Sequence, residues 1–207
     1  MLDNLQKYTI WLASNSPRRK ELLSGLGIDY EVKTLADVDE SFPDSLKGGD
    51  IPLYIACKKA EAYKPMMMEA VAGATTDSSS SSKEVLVITA DTIVWLGEEM
   101  LGKPSDEADA MAMLRKLSGK THEVITGVCL TTPTWQKSFA AVSEVRFSTL
   151  TEEEIEYYVH RFRPLDKAGS YGVQEWIGFI GVESISGSYF NVMGLPVQKL
   201  YQELKLL

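Results

Sequence analysis

Ser14-Asn15-Ser16-Pro17-Arg18-Arg19 puts two hydroxyls, a proline and two adjacent arginines where an apolar run, Tyr8 to Ala13, gives way to a helical pattern. That combination suits a phosphate. Ser16 is a natural helix cap, Pro17 fits the first helical position without wasting an amide hydrogen, and the exposed amides of a helix start attract anions. Arg18 and Arg19 bring forked donors that match phosphate oxygens. The same six residues also fit an ordinary capped surface helix with solvated arginines.

Asp91 is the strongest candidate for a reacting centre. It follows the apolar stretch Val85 to Ala90, and an ionisable group at a strand end is held by a rigid scaffold yet open to a cleft. Thr92 sits beside it. Asp37, Asp39 and Glu40 form an acidic segment after a second short strand, and a carboxylate from there could join Asp91 in holding a hard cation through oxygen ligands. A solvated acidic loop, or an Asp91 that merely caps a turn, would look the same at this level.

Lys103 stands in Gly102-Lys103-Pro104, where the backbone is restricted and the ammonium can be aimed. Lys58 and Lys59 lie in a helical pattern and are equally compatible with its wet face. The segment Asp166 to Gln174 carries Gly169 and Gly172 among polar residues, which gives backbone access to a ligand. Gln174 adds an amide suited to a base edge. A tight inter-strand turn would need the same glycines. His122 and His160 lack any neighbouring ligand pattern, so neither a zinc site nor a serine-histidine triad is expected.

The elements that must position these groups alternate. Strands are expected over 8–13 and 30–35, a helix over 17–25 between them, and a helix from Pro52 to about Met68. Val85 to Ala90 and Ile93 to Leu96 read as strand, with a hairpin turn at Gly97-Glu98-Glu99. Ser105 is the expected cap of a helix reaching Leu117. Strands over 123–131 and 138–148 should pair across the Pro133 turn. A helix over 151–160 capped by Thr151 and a final amphipathic helix over 197–206 complete the chain. Strand-helix alternation of this kind predicts an α/β protein with a mixed central β-sheet flanked by helices. From Gly169 onward, glycines are expected to punctuate short strands and loops.

The 207 residues, 44% of them hydrophobic, suit one domain with a substantial core. Thr75 and Thr76 with the five serines Ser78 to Ser82 mark a surface insertion around 74–84, not a boundary, because the strand pattern resumes at once. A net charge of −8 argues against wide contact with nucleic acid or an anionic membrane. No run approaches the ~18 apolar residues of a membrane span. Cys57 and Cys129, the only cysteines, have no metal or disulfide spacing and are expected as buried thiols of a soluble, cytoplasmic protein.

Taken in order, Ser14-Asn15-Ser16-Pro17-Arg18-Arg19, Val38-Asp39-Glu40, Lys59-Ala60, Ala90-Asp91-Thr92, Gly102-Lys103-Pro104, Thr126-Gly127-Val128, Lys167 to Gln174, and Gly187-Ser188-Tyr189 with Asn191-Val192 and Gly194-Leu195-Pro196 resemble the Maf family of nucleoside triphosphate pyrophosphatases, relatives of the inosine triphosphatase-like fold. The resemblance covers nearly the whole chain, and the serine-rich insertion misses every motif. It implies hydrolysis between the α and β phosphates with a divalent metal, Mg²⁺ or Mn²⁺. Asp91 would be proton acceptor and, with Glu40, metal ligand. Ser14, Ser16, Arg19, Lys59 and Lys103 would bind substrate phosphates. Arg18, Thr92 and Gln174 match the positions that separate a branch acting on dTTP and UTP from one acting on 7-methyl-GTP, and the residues here are those of the first branch. Relatives form dimers, so the resemblance admits a homodimer. A second class of function, a nucleotide-binding regulator of cell division or septum formation acting through a protein partner, is also open. The acidic pair separates the two, since a pure binding module has no need of Asp91 and Glu40 beside phosphate-binding cations.

Overall fold

The computed structural model describes residues 2–74 and 83–207, so the serine run of the expected insertion lies outside the described residues. In chain order the elements are β1 (Tyr8–Leu12), α1 (Pro17–Ser24), β2 (Glu31–Val32), α2 (Asp50–Ala62), α3 (Lys64–Ala74), β3 (Glu84–Leu96), β4 (Glu99–Leu101), α4 (Glu107–Leu117), β5 (Thr121–Thr131), β6 (Gln136–Phe147), α5 (Glu152–Phe162), α6 (Trp176–Gly181), β7 (Val182–Ser186), α7 (Tyr189–Met193) and α8 (Val197–Lys205). The strands form one mixed sheet in the order β2-β1-β3-β5-β6-β7, with β4 on β3. Helices flank it, as the alternation predicts. β1 runs parallel to β2 and β3, whereas β4 and β7 are antiparallel to their partners.

The chain forms two compact units. The first holds Met1–Asp91, Gly127–Ala140 and Gly194–Leu207; the second holds Thr92–Thr126 and Ala141–Met193. In the first unit Trp11 of β1 and Val85 and Val87 of β3 form a buried cluster with Tyr63 and Met67, and Ala56 and Ala60 of α2 are buried against Cys129 of β5. Fully burying an aliphatic side chain such as Val87 contributes roughly 1.5–3 kcal/mol. The approach of α2 is close enough to require glycine. A Cβ on Gly127 of β5 would lie 2.4 Å from the Pro52 carbonyl carbon, so any side chain there would drive the helix off the sheet.

Several expectations change. The strand expected over 30–35 shrinks to Glu31–Val32, because both residues are exposed and have no core to face. The helix expected from Pro52 to Met68 divides at Tyr63. Pro65, near the start of α3, cannot continue a helix from before it, since its ring removes a hydrogen bond and clashes one turn back. β3 does not stop at Ala90 but carries Asp91 and Thr92 through to Leu96. The cap of α4 is Asp106 and not Ser105; its carboxylate accepts from the Asp109 amide at 2.8 Å. Two short helices, α6 and α7, occupy a region expected to hold only strands and loops. The Thr151 capping box of α5 forms as expected, with Glu154 answering the cap.

Candidate active site

Register along two elements decides which charges meet. The Thr89 hydroxyl on β3 donates to the Ala56 carbonyl of α2 at 2.7 Å, pegging helix to strand in the buried layer. Two residues along β3, Asp91 points to the same face as Thr89, about 6.7 Å farther on. One turn along α2, Lys59 lies about 4.5 Å beyond Ala56. The two side chains therefore meet, and Lys59 Nζ donates to Asp91 Oδ1 at 2.7 Å. The β1 ladder ends at Leu12 opposite Ile88, so Asp91 stands past the carboxyl end of its parallel neighbour.

A second carboxylate reaches the same ammonium. Glu40 Oε1 lies 2.9 Å from Lys59 Nζ. Its loop is held by Asp39, whose carboxylate accepts from the Ser41 amide at 2.8 Å and from Lys58 Nζ at 2.6 Å. The hydrogen bond from Lys58, supported by those from Ser41, holds the Asp39 carboxyl down to about 2. Adjacent acids are thereby sorted: Asp39 goes to Lys58, Glu40 to Lys59.

Arg19 completes the cluster. Ser14 Oγ accepts from the Ser16 amide at 3.2 Å, and Ser16 Oγ accepts from the Arg19 amide at 3.4 Å, so both serines shape the start of α1. The Arg19 Nε–H donates to the Gly194 carbonyl at 2.9 Å, which fixes the plane of the guanidinium. Gly194 has a φ of +118°, a conformation that favours glycine. Burial lowers the Arg19 guanidinium from its ordinary value. Asp91 acts to raise it, neighbouring Arg18 lowers it again, and Glu40 raises it. The group stays cationic, as guanidinium does in proteins.

In the second unit, Thr92 Oγ1 is 2.9 Å from Thr126 Oγ1, which donates to the Asn191 carbonyl at 3.2 Å. Asn191 is fully buried and donates to the Val124 carbonyl and to Ser143 Oγ, each at 3.0 Å. Lys103 is exposed, and its neighbour Gly102 accepts the Gly169 amide at 3.0 Å, tying the lysine's frame to the loop that ends in Gln174. Gln174 Oε1 is buried without a hydrogen-bond partner among the described residues. A buried acceptor left so costs about 1–3 kcal/mol unless a donor reaches it.

A family model described as Maf-like protein matches residues 9–207. The chain belongs to the Maf family. Curated relatives include the dTTP/UTP pyrophosphatases of Bacteroides fragilis, 65% identical over 207 residues and all of both chains, and of Phocaeicola vulgatus, 64% identical over the same span. The dTTP/UTP pyrophosphatase of Porphyromonas gingivalis is 52% identical over 99% of this chain and 97% of its own. Likeness to solved structures is slighter. The Ham1 protein of Staphylococcus aureus aligns over 67% of this chain and 71% of its own, at 18% identity and a TM-score of 0.40.

Of the residues singled out in this Maf chain from sequence, Arg19, Glu40, Lys59 and Asp91 come together in the first unit, with Arg18 next to Arg19 and with Ser14 and Ser16 hydrogen-bonded at the start of the same helix. Thr92, Lys103 and Gln174 belong to the second unit. Lys59 is not a wet-face lysine, since its side chain is only 13% exposed. Sequence reasoning did not assign Thr89, which sets the register of Lys59 on Asp91, or Gly194, which orients Arg19. Gly194 stood inside a quoted motif, whereas Thr89 carries no signal beyond a hydroxyl in an apolar strand. Among the described residues no group of three or more His, Cys, Asp or Glu could hold a metal ion. Two carboxylates within 3 Å of one point nevertheless suit a small hard cation, which commonly takes one or two protein carboxylates and completes its shell with water and phosphate oxygens.

Proposed function

We propose that this Maf protein is a nucleoside triphosphate pyrophosphatase that hydrolyses dTTP and UTP to the monophosphate and pyrophosphate. One observation carries the reading: Asp91 and Glu40 converge on the ammonium of Lys59 beside the oriented guanidinium of Arg19. Two acids and two fixed cations at one point fit a polyphosphate with its counter-cation. The name shared by full-length relatives, dTTP/UTP pyrophosphatase, supports the reaction and the substrates. The uninterrupted family match over 9–207 supports reading both units as one functional domain.

Asp91 and Glu40 are the ligands assigned to the divalent cation, Mg²⁺ or Mn²⁺, which when bound offsets charge on the phosphoryl oxygens. Arg19, Lys59 and Lys103 are assigned to the phosphates, with Arg18, Ser14 and Ser16 at the start of α1. Asp91 accepts the proton of the attacking water at its carboxylate as the anhydride between the α and β phosphates breaks and pyrophosphate departs. Lys59 donates to Asp91 and holds it in place for that task. Gln174 is assigned to the base: its buried Oε1 accepts the N3–H of thymine or uracil, and its amide donates to O4. Cytosine reverses both positions and should be rejected, because the glutamine would then face groups of its own polarity. Thr92 is assigned beside it. The reading places the enzyme in the cytoplasm, where thiols are ordinarily kept reduced.

The test is incubation of the purified protein with dTTP, UTP, CTP, 7-methyl-GTP and ATP, with Mg²⁺ or Mn²⁺, resolving the products by anion-exchange chromatography. Monophosphate and pyrophosphate from dTTP and UTP are expected, with CTP and 7-methyl-GTP turned over at least tenfold more slowly, the size of loss that one mispaired polar contact brings. Orthophosphate as first product, or equal turnover of all five, would overturn the assignment.

A further inference from the structure

The two cysteines have no part in the chemistry above, yet they meet. Cys57 lies on α2, two residues before Lys59, and Cys129 lies on β5, two residues after Gly127. Their positions follow from the packing already described. Gly127 touches Pro52, and from there both elements advance by about 7 Å, five residues of helix against two of strand. Thr89 marks the meeting point a second time, since its hydroxyl lies 2.7 Å from the Ala56 carbonyl and 3.5 Å from that of Cys129. The thiols are hydrogen-bonded to each other, and Cys57 packs against the buried cluster of Ala56, Ala60 and Cys129. Contrary to the sequence expectation of two buried thiols, only Cys129 is buried; Cys57 is partly buried.

We propose that Cys57 and Cys129 form an oxidisable dithiol whose disulfide, made by a hydroperoxide, turns the enzyme off. The Cys57 thiolate attacks the peroxide oxygen, the O–O bond breaks, and Cys57 becomes a sulfenic acid as the displaced hydroxide or alkoxide takes a proton. Cys129 sulfur then attacks Cys57 sulfur, the S–O bond breaks and water leaves with the thiol proton. Two thiols are oxidised, and one peroxide is reduced to two molecules of water, or to water and an alcohol.

The pair has the asymmetry this sequence needs. The Cys129 thiol donates to Cys57 sulfur and so lowers the Cys57 thiol, with a further hydrogen bond from Ser138. Hydrogen bonding to Cys57 and burial raise the Cys129 thiol. Cys57, the thiol that a peroxide can reach, is the attacking sulfur, and the buried Cys129 is the resolving one. Closing the bond brings the two sulfurs to about 2.05 Å from each other. α2 cannot follow by moving inward, because Gly127 already touches its backbone. The helix must turn or tilt instead, and Lys59, half a turn away, leaves Asp91 and Glu40. A displacement of that order costs about 100-fold where positioning carries the rate.

The disulfide itself does not depend on the proposed activity, and only its consequence does. Intact protein treated with hydrogen peroxide is digested under non-reducing conditions for mass spectrometry. A linked peptide pair containing Cys57 and Cys129 is expected, abolished by dithiothreitol and absent in Cys57→Ser and in Cys129→Ala. Cys57→Ser keeps its fold if the core variant does not. In parallel, dTTP hydrolysis should fall with formation of the link, recover on reduction, and resist peroxide in Cys57→Ser. Oxidation of Cys57 to sulfinic acid with no link, or no reaction of either thiol, would sink the dithiol. Full activity in linked protein would sink the switch. If no substrate is turned over even when reduced, the function fails while the peptide result stands or falls separately.

Discussion

Lys59 and Lys167 are the same side chain in nearly the same circumstances, and they do different work. Each is almost covered, at 13% and 10% exposure, and each is gripped by two carboxylates, Asp91 and Glu40 in one case, Asp166 and Glu175 in the other. Around Lys167 the outer acid, Asp166, is open to solvent, and the inner one, Glu175, is spent on the fold. Glu175 takes the Tyr158 hydroxyl, and that oxygen accepts the Gly172 amide at 3.0 Å, so the triad stitches a glycine turn to α5. Burial, then the bond to Glu175, pushes the Tyr158 hydroxyl well above its usual range. Around Lys59 a second fixed cation, the guanidinium of Arg19, stands beside the two acids, one of which, Glu40, is half-exposed. A lysine between two acids is thus no signature of catalysis by itself. What distinguishes the site is whether the surrounding groups satisfy one another or leave room for a charged ligand.

The sharpest break in that comparison is Asp91→Asn. It keeps the shape and a hydrogen bond to Lys59 but removes the proton acceptor, so kcat should fall about 10²–10⁴-fold. Melting should move by no more than about 3 °C, roughly 1 kcal/mol for a chain of this size. Loss of rate through unfolding would show in the melt. The paired variants Lys59→Met and Lys167→Met should then separate. Lys59→Met is expected to lose about 100-fold in kcat/KM with a smaller thermal shift, because Arg19 still compensates Asp91. Lys167→Met leaves Glu175 uncompensated and should cost about 3 kcal/mol, with activity per folded molecule near that of the parent. Equal effects of the two on rate would erase the distinction.

His122 sharpens the contrast through pH. It is buried, 2.7 Å from the Tyr171 hydroxyl and edge-on to Phe147, and burial lowers its imidazole to about 4. The unfolded chain protonates near 6.5, so between those values the unfolded state binds the extra proton. Stability from this group is complete above pH 6.5 and is lost as pH falls to about 4, on the order of 3 kcal/mol in total. Urea titrations from pH 7 to 4 should show that loss, and His122→Gln should reduce it. Smallest is Thr89→Val, which removes the peg at Ala56 and should cost about 1 kcal/mol. A rise in KM beyond that of other core variants of equal stability would confirm that the peg sets Lys59.

Local pattern made much of this legible. Ser16, Pro17 and the Thr151–Glu154 box act within a few residues, so the starts of α1 and α5 follow from short-range chemistry. The break at Tyr63 was readable from Pro65 in principle, but the apolar periodicity continued across it and concealed it. The lengths of β2 and β3 were not readable, because a strand ends where its neighbours stop offering partners or core.

By itself the sequence determined the family, the alternating α/β order and the list of charged residues able to handle a phosphate, since these rest on residue types and near-neighbour spacing. It did not decide which of two adjacent acids faces Lys59, that Lys167 serves a turn, or that the thiols of Cys57 and Cys129 touch. Those depend on how far α2 slides along β3 and β5. A buried hydroxyl at Thr89 and the missing side chain of Gly127 set that register.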